Sequence, residues 1–360
     1  MDLVEIQEGQ THLLVPDFQD DIGPKEKGED VFYNPSMEKS RDIFVSFLKA
    51  WAKGKSVRLL DGMSATGVRG IRAAKETPVS SVTTNDLSKK AVQLIKKNAK
   101  KNSLKMSITN EILEKLLVDK KYEYEYIDID PFGTPVKYYP YSARFINHEG
   151  VVAVTSTDTA ALCGTYPKTC SRRYSSKPEN NWCRHENGLR ILIAYCVREA
   201  GRYDRWVKPL LSYYEGHHFR AYLQIGDGAK KANRCLEKVR EVSFQDGRWD
   251  FEIGKQNKKR GPFWVGQLFD EKILEKMEPV GNFGKDLLSI WREESNFPPF
   301  FYDTNELSSV YKTAPPPRKK LKNKLEEKDY KTSKTHFSPT GIKTDATFEV
   351  MEDAFLNLTS

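Results

Sequence analysis

The most chemically suggestive stretch of the sequence is Asp130-Pro131-Phe132-Gly133-Thr134-Pro135, which follows the alternating acids of Tyr126-Ile127-Asp128-Ile129-Asp130. Two prolines and a glycine make this a stiff, defined loop. An acid, a proline carbonyl and an aromatic ring in direct succession can hold the exocyclic amine of a nucleobase. Such an amine is a poor nucleophile, because its lone pair is delocalised into the ring. Two acceptors on its hydrogens, the Asp130 carboxylate and the Pro131 carbonyl, can aim that lone pair at an electrophile. Phe132 can stack on the base and fix its plane. Asp130 is then the acceptor or base for the departing proton. A tight turn with a core Phe is the plainer reading of the loop taken alone.

A second loop, Leu60-Asp61-Gly62-Met63-Ser64-Ala65-Thr66-Gly67-Val68-Arg69-Gly70, runs from an apolar strand through small residues into a helix. Its glycines let a ligand approach the backbone closely. Asp86 lies 25 residues past Asp61, at the end of the next strand, where an acid can accept from two ribose hydroxyls. The layout suits a dinucleotide or S-adenosylmethionine. The dinucleotide pattern G-x-G-x-x-G is absent, and Asp61 and Arg69 flank the loop. A pyrophosphate has no use for a carboxylate there, whereas adenosylmethionine carries an ammonium, a carboxylate and a sulfonium. Phe32, in Phe32-Tyr33-Asn34-Pro35, precedes the first sheet strand and could fold over the mouth as the other side of a base sandwich. A core Phe is the equal alternative.

These groups need a scaffold that brings strand ends together. Strands read at 57–61, 81–86, 124–130 and 150–155 alternate with helices at 68–76, 89–101, 138–147 and 187–201, which predicts βαβ units and a largely parallel sheet. Ligands bind at the carboxyl ends of such strands, where Asp61, Asp86, Asp130 and Thr155 fall. Residues 4–8 and 12–15 read as an N-terminal hairpin around Gly9, residues 40–53 as a helix, and 209–215 with 219–225 as a closing strand pair. The pattern breaks at Gly226-Asp227-Gly228, so the expected domains are 1–228 and 229–360.

Composition bounds the rest. The 360 residues are 38% hydrophobic and carry a net charge of +8, enough apolar content for real cores and a basic balance that fits a nucleic-acid partner as well as an ordinary basic enzyme. Cys163, Cys170, Cys183, Cys196 and Cys235 are odd in number and unevenly placed, unlike a secreted disulfide framework. Cys163, Cys170, Cys183 and His185 make only a weak zinc set, because structural zinc favours closer pairs. The first residues lack an apolar core segment and no run approaches a membrane span, so a soluble, cytoplasmic protein is expected, with no membrane, no metal and no obligate protein partner.

Taken together, Val31-Phe32-Tyr33-Asn34-Pro35, Arg41-Asp42, Ser64-Ala65-Thr66-Gly67-Val68-Arg69-Gly70 and Asp130-Pro131-Phe132-Gly133-Thr134-Pro135 resemble the tRNA (guanine-26 N2) dimethyltransferase family. The likeness continues through Thr157-Asp158, Leu162-Cys163-Gly164, Phe219-Arg220-Ala221, the 261–266 segment Gly-Pro-Phe-Trp-Val-Gly and the 335–344 segment, in the family's order. The short single chain is similar to archaeal members. The resemblance implies a class I, Rossmann-like S-adenosylmethionine-dependent methyltransferase domain and a smaller, family-specific α+β domain that binds tRNA. It implies that Arg41, Arg69 and Asp86 contact the cofactor, that Asp130 is catalytic, and that Phe32 and Phe132 flank the guanine. The family often has Asp-Ala after the third strand, at the adenine. Here the stretch is Thr109-Asn110-Glu111-Ile112, so Glu111 or the Ile112 backbone is expected to substitute. Relatives with a Cys-rich insertion in the C-terminal half differ from this chain, which has only Cys235 there.

Residues 306–313 and 318–328 read as two helices around a proline turn, followed by a β-segment at 331–336. From Arg318 to Lys343 there are nine Lys/Arg and three acids, which is either a grip on a tRNA backbone or a solvated face. The alternatives to a tRNA enzyme are a methyltransferase for an exocyclic amine in DNA or rRNA, an NAD-type oxidoreductase, and a non-catalytic RNA-binding protein with a degenerate cofactor site.

Overall fold

The computed structural model describes residues 2–17, 31–245, 248–250 and 259–359. The polar stretch up to Asp30 lies almost wholly outside the described residues. The chain opens with the hairpin β1 (Leu3–Glu8) and β2 (Thr11–Pro16), turning at Gly9, whose φ of 56° suits glycine. The elements α1 (Glu38–Trp51), β3 (Arg58–Asp61), α2 (Val68–Glu76), β4 (Ser81–Asn85), α3 (Lys89–Lys101), β5 (Ser107–Thr109), α4 (Leu113–Asp119), β6 (Tyr126–Ile129), α5 (Tyr139–Phe145) and β7 (Gly150–Ser156) follow. Then come α6 (Thr159–Leu162), α7 (Pro167–Tyr174), α8 (Arg184–Gly201) and the long pair β8 (Arg205–Glu215) and β9 (His218–Asp227).

The central sheet has the order β5-β4-β3-β6-β7-β9-β8. The first five strands in that order are parallel, while β9 runs antiparallel to β7 and β8. This is the Rossmann-like α/β architecture expected, with the order reversing beside β3, between β3 and β6. Strand β7 is buried along its whole length, as a strand covered on both faces must be. The short β5 and α4 have too little periodicity to be read from sequence; they come from Ser107-Ile108-Thr109 and a two-turn segment.

The hairpin is joined to the sheet domain by side chains. Asn98 and Asn102, one turn apart on α3, pair with β2 as a strand would: Asn98 accepts from the Leu14 N–H at 2.7 Å and donates to its carbonyl, and Asn102 does the same for His12. Asn98 also donates to the Thr66 carbonyl of the glycine-rich loop, so the hairpin and that loop share an anchor.

The sheet ends at Asp227, next to the expected boundary. Beyond it, α9 (Ala229–Leu236) still packs on the sheet layer, against β8 and α8. The strands β10 (Val239–Gln245), β11 (Arg248–Asp250) and β12 (Lys259–Trp264) form a small antiparallel sheet. After α10 (Glu271–Lys276) and α11 (Lys285–Glu294), the segment α12 (Thr304–Tyr311), α13 (Arg318–Glu326) and α14 (Phe348–Leu356) surrounds a sheet of β13 (Tyr302–Asp303), β14 (Thr332–Thr335) and β15 (Ser338–Thr344). The helix-turn-helix and β-segment read near residues 306–336 correspond to α12, α13 and β14. Leu307, Leu321, Leu325, Met351 and Phe355 form a separate small core there. The main core crosses the boundary: Trp291 stacks on Tyr213, and buried Glu186 of α8 accepts from Lys343 Nζ at 3.0 Å and the Phe300 N–H at 2.7 Å.

Candidate active site

The carboxyl ends of β3, β4, β5, β6 and β7 face one mouth. On the side of the glycine-rich loop, the Ser64 hydroxyl donates to the Asp61 carbonyl, and the Gly70 N–H donates to the Asp61 carboxylate at 3.0 Å. A Cβ on Gly70 would meet Thr84 Cγ2 at 2.5 Å, so only glycine lets α2 sit this close to β4. Burial and the neighbouring Asp128 push the Asp61 carboxyl up to about 7, against the pull of Arg69. Asp86, at the end of β4, accepts from the Ala65 N–H and the Ser88 N–H, both at 2.8 Å. Those two donors orient the carboxylate and leave lone pairs for further donors. Asn85 ties three strand ends together: its amide donates to the Gly62 and Glu111 carbonyls and accepts from the Glu111 N–H and the Thr109 hydroxyl.

Glu111 turns its carboxylate to Lys115 Nζ at 2.9 Å, so it presents mainly its backbone to the mouth. Ile112 is 51% exposed and Leu87 is 71% exposed, and Asn110 links the two loops by donating to the Asp86 and Leu87 carbonyls. Two exposed aliphatic side chains thus lie on the loops next to Asp86 and Glu111. Leu87 was not singled out in the sequence, because one Leu after a strand reads as core.

On the opposite side, Asp128 and Asp130 end β6. Arg220 of β9 clamps buried Asp128 with both Nη atoms and donates to Thr155 Oγ1 at 2.6 Å, and the Tyr126 hydroxyl donates to Asp128 at 3.0 Å. Arg69 Nη2 donates to Asp130 at 2.8 Å, with its Nε 3.6 Å from Asp128. The Asp130 side chain retains 28% of its exposure. Burial would raise its pKa, but Arg69 and Arg220, with a hydrogen bond from Thr155, outweigh that and hold the carboxyl below its ordinary value. Asp130 is therefore ionised at working pH, a firm acceptor and a weak base. Pro131 is buried, and no N–H of the described residues donates to its carbonyl.

Phe132 is 72% exposed, an unusual position for a ring with no role on a surface. The loop beneath it is pinned: Gly133, at φ 77°, donates to the Thr157 hydroxyl at 2.8 Å and accepts from the Thr157 N–H at 2.9 Å. Phe32 does reach Phe132, but the rings meet edge to face, with centroids 5.0 Å apart and an interplanar angle of 83°. They are not parallel walls, so a base stacked between them requires the pair to part.

Arg41 sits in a different environment from Arg69. Its Nε and Nη2 form a two-pronged contact with buried Glu8, each at 2.6 Å, and it donates to the Asn34 carbonyl. One Nη1 N–H remains for a ligand. Glu8 also takes Arg72, which bonds Asp42 and Glu76, so a five-residue charge network fastens the hairpin to α1 and α2. Burial opposes the Glu8 charge, and Arg41 and Arg72 more than compensate. By contrast, buried Arg69 Nη1 has no hydrogen-bond partner among the described residues. An oriented acid for hydroxyls, two exposed aliphatic side chains and an orphaned guanidinium N–H fit a ligand with a ribose, a flat base and a carboxylate.

His218 is buried, its Nε2 has no hydrogen-bond partner among the described residues, and it interacts electrostatically with Asp130. Burial and the nearby arginines, against the pull of Asp130, push it down to about 4, so it is neutral here. His185 stacks on Tyr214 at 3.9 Å. Cys163, Cys170, Cys183 and Cys196 are buried free thiols, with burial raising Cys163 and Cys170 to about 12. Among the described residues no three His, Cys, Asp or Glu could together hold a metal, and no helix is long and apolar enough to cross a membrane.

Residues 9–356 match the family of N2,N2-dimethylguanosine tRNA methyltransferases. The chain is 37% identical to the tRNA (guanine(26)-N(2))-dimethyltransferase of Pyrococcus furiosus, over 97% of each protein. It is 37% identical to the enzyme of that name from Thermococcus kodakarensis, over 99% of this chain and all of the other. Among solved structures, Trm1 from Pyrococcus horikoshii in complex with S-adenosyl-L-methionine superposes with a TM-score of 0.89 at 34% identity, covering 98% of this chain and 99% of that one. The chain belongs to the N2,N2-dimethylguanosine tRNA methyltransferase family.

Proposed function

We propose that this chain methylates the exocyclic N2 of guanine 26 in tRNA, giving N2-methyl- and then N2,N2-dimethylguanosine, with S-adenosylmethionine as donor. The observation that carries the reading is Asp130, held ionised by buried arginines directly before an open proline carbonyl and an exposed ring. The cofactor supplies a methyl group on a sulfonium that leaves readily. Asp86 takes the ribose hydroxyls, Leu87 and Ile112 pack the adenine beside the Glu111 backbone, and the free N–H groups of Arg69 and Arg41 take the carboxylate. Asp61 faces the positive end of the cofactor across the Gly62 turn.

The guanine must leave its stack to reach this mouth, and Phe132 replaces the lost stacking, with Phe32 closing over the base. Asp130 accepts one N2 hydrogen and the Pro131 carbonyl the other. On taking the methyl group the N2 nitrogen becomes positively charged and far more acidic than a carboxylic acid, so even a weak base such as Asp130 takes its proton. His218, neutral behind Asp130, adds no competing charge.

Residues 229–360 act as the tRNA-binding part, with the face of α13 as a backbone grip, and the protein works in the cytoplasm. Family membership disfavours the DNA or rRNA reading. Nucleoside mass spectrometry of a tRNA transcript incubated with enzyme and cofactor tests the proposal. Both methylated guanosines are expected, and their loss when guanine 26 is replaced by adenine. No methylated guanosine, or methylation that survives that replacement unchanged, sinks it.

A further inference from the structure

A basic cavity lies off the catalytic loop, between α7 and the segment 177–180, with a volume of about 790 Å³. Lys168, Arg172, Lys177 and Arg260 line it, and Glu179 is the one acid among its lining residues. Arg260 is bonded to Glu179. The other three cations pair with no acid among the described residues. In the α13 run, by comparison, Lys322 and Lys324 pair with Glu326 and Glu327 and Lys328 pairs with Asp353, while Lys319 and Lys320 pair with no acid among the described residues. Like charges gathered around one hollow repel one another, and an anion relieves the repulsion.

The walls are fixed. Lys177 and Gly261 exchange backbone hydrogen bonds at 2.7 and 2.8 Å. Gly164, at φ 93°, lies against Asn180, where a Cβ would come within 3.0 Å of the Asn180 nitrogen. The cavity is also tied to the site of chemistry. Arg173 and Tyr174, the residues after Arg172, reach the catalytic loop: Tyr174 donates to Thr134 Oγ1 at 2.8 Å, and Arg173 donates to Asp158 at 2.8 Å. Asp158 follows Thr157, the residue that clasps Gly133. The cations on α7 therefore hold a set position relative to Phe132. At the start of α7, Tyr166 is 61% exposed, offering a second ring to a base.

We propose that this cavity binds the phosphate backbone of the RNA strand next to the target guanine, through Lys168, Arg172 and Lys177. A flipped base drags its flanking phosphates toward the enzyme, and a grip close to the catalytic loop is where holding them keeps the base in the site. The volume exceeds what one inorganic phosphate fills, in keeping with a nucleotide-sized occupant.

The inference rests on tRNA being the substrate, and the test separates the two. Full-length K168E/R172E/K177E, the milder K168A/R172A/K177A and wild type are compared for tRNA binding across salt concentrations, with cofactor affinity as the check on folding. Charge reversal should weaken tRNA binding at about 0.1 M salt by about tenfold or more, and the slope of log affinity against log salt should shrink by about 2 to 3, with cofactor affinity unchanged. The alanine variant should show the same slope change with a smaller loss. If wild type binds and methylates tRNA but the salt slope of both variants equals its own, the inference is overturned while the function stands. If wild type neither binds nor methylates tRNA, the functional reading itself fails.

Discussion

Asp86 and Asp130 both end parallel strands at the same mouth, yet they are held by different means. Asp86 is oriented by the Ala65 and Ser88 backbone amides and meets no cation among the described residues. Asp130 is gripped by Arg69 and backed by the buried Asp128–Arg220 pair. Backbone amides aim a carboxylate without neutralising it, which suits an acid that must attract neutral hydroxyls. A guanidinium keeps a half-buried carboxylate ionised and lowers its basicity, which suits an acid that must position an amine and receive only a very acidic proton. Under the proposed function, the contrast divides the site into a cofactor half built by the chain's turns and a catalytic half built by side-chain charge.

That division can be broken most sharply at Asp86. Asp86→Ala should weaken S-adenosylmethionine binding by about 2–4 kcal/mol, roughly 30- to 1,000-fold, with tRNA affinity unchanged. Calorimetry that finds unaltered cofactor affinity would remove Asp86 from the cofactor half. The catalytic half answers to Phe132: Phe132→Ala should lower single-turnover methylation by about 5- to 150-fold, the worth of about 1–3 kcal/mol of stacking, and Phe132→Tyr should be mild. Equal rates for Phe132→Ala and wild type would leave the exposed ring without a task.

Much of the geometry of the proposed cofactor half was legible in the sequence, because its determinants are local. The strand, the glycines and Asp86 lie within one βαβ span, and the loop needs glycine where α2 meets β4. The catalytic half was legible as far as Asp130, Pro131 and Phe132, which are consecutive. Its electrostatic support was not. Arg220 meets Asp128 across 92 positions, and Glu8 meets Arg41 and Arg72 across 33 and 64. A single sequence holds no trace of such pairings. The same distance hid the engagement of Arg41 by Glu8, and residue type alone could not show that Phe32 and Phe132 meet edge to face. Ile112 was read only through its backbone and Leu87 not at all, because the exposure of both side chains is set by where the strands end.

Protonation sharpens the comparison at smaller scale. Asp61, at about 7, is part-protonated at neutral pH because it is buried beside Asp128. A cationic ligand lowers that pKa, so cofactor binding should release protons, and affinity should rise several-fold, at most about tenfold per pH unit, between pH 6 and 8. Calorimetry in two buffers of different ionisation enthalpy reads the release. Its absence in wild type, or its persistence in Asp61→Asn, contradicts the assignment. His218 has the opposite sign. Its folded pKa of about 4 lies below the ordinary 6.5, so the unfolded chain takes the proton first and stability falls as pH drops from about 6.5 toward 4. Between pH 7 and 5, His218→Gln should lose about 1–2 kcal/mol less stability than wild type in urea unfolding. Identical pH slopes for the two proteins would mean that His218 is not held neutral by its surroundings.

The central claim is that Asp130 acts on the amine during transfer rather than on the binding of tRNA. The direct measurement is single-turnover methyl transfer by Asp130→Ala, with tRNA affinity measured on the same preparation and Asp130→Asn alongside. The expected result is a fall in rate of about 100- to 1,000-fold or more for alanine, with tRNA affinity within a few-fold of wild type and a partial rate for asparagine, which keeps an acceptor oxygen without the charge. Near wild-type transfer by Asp130→Ala would contradict the account.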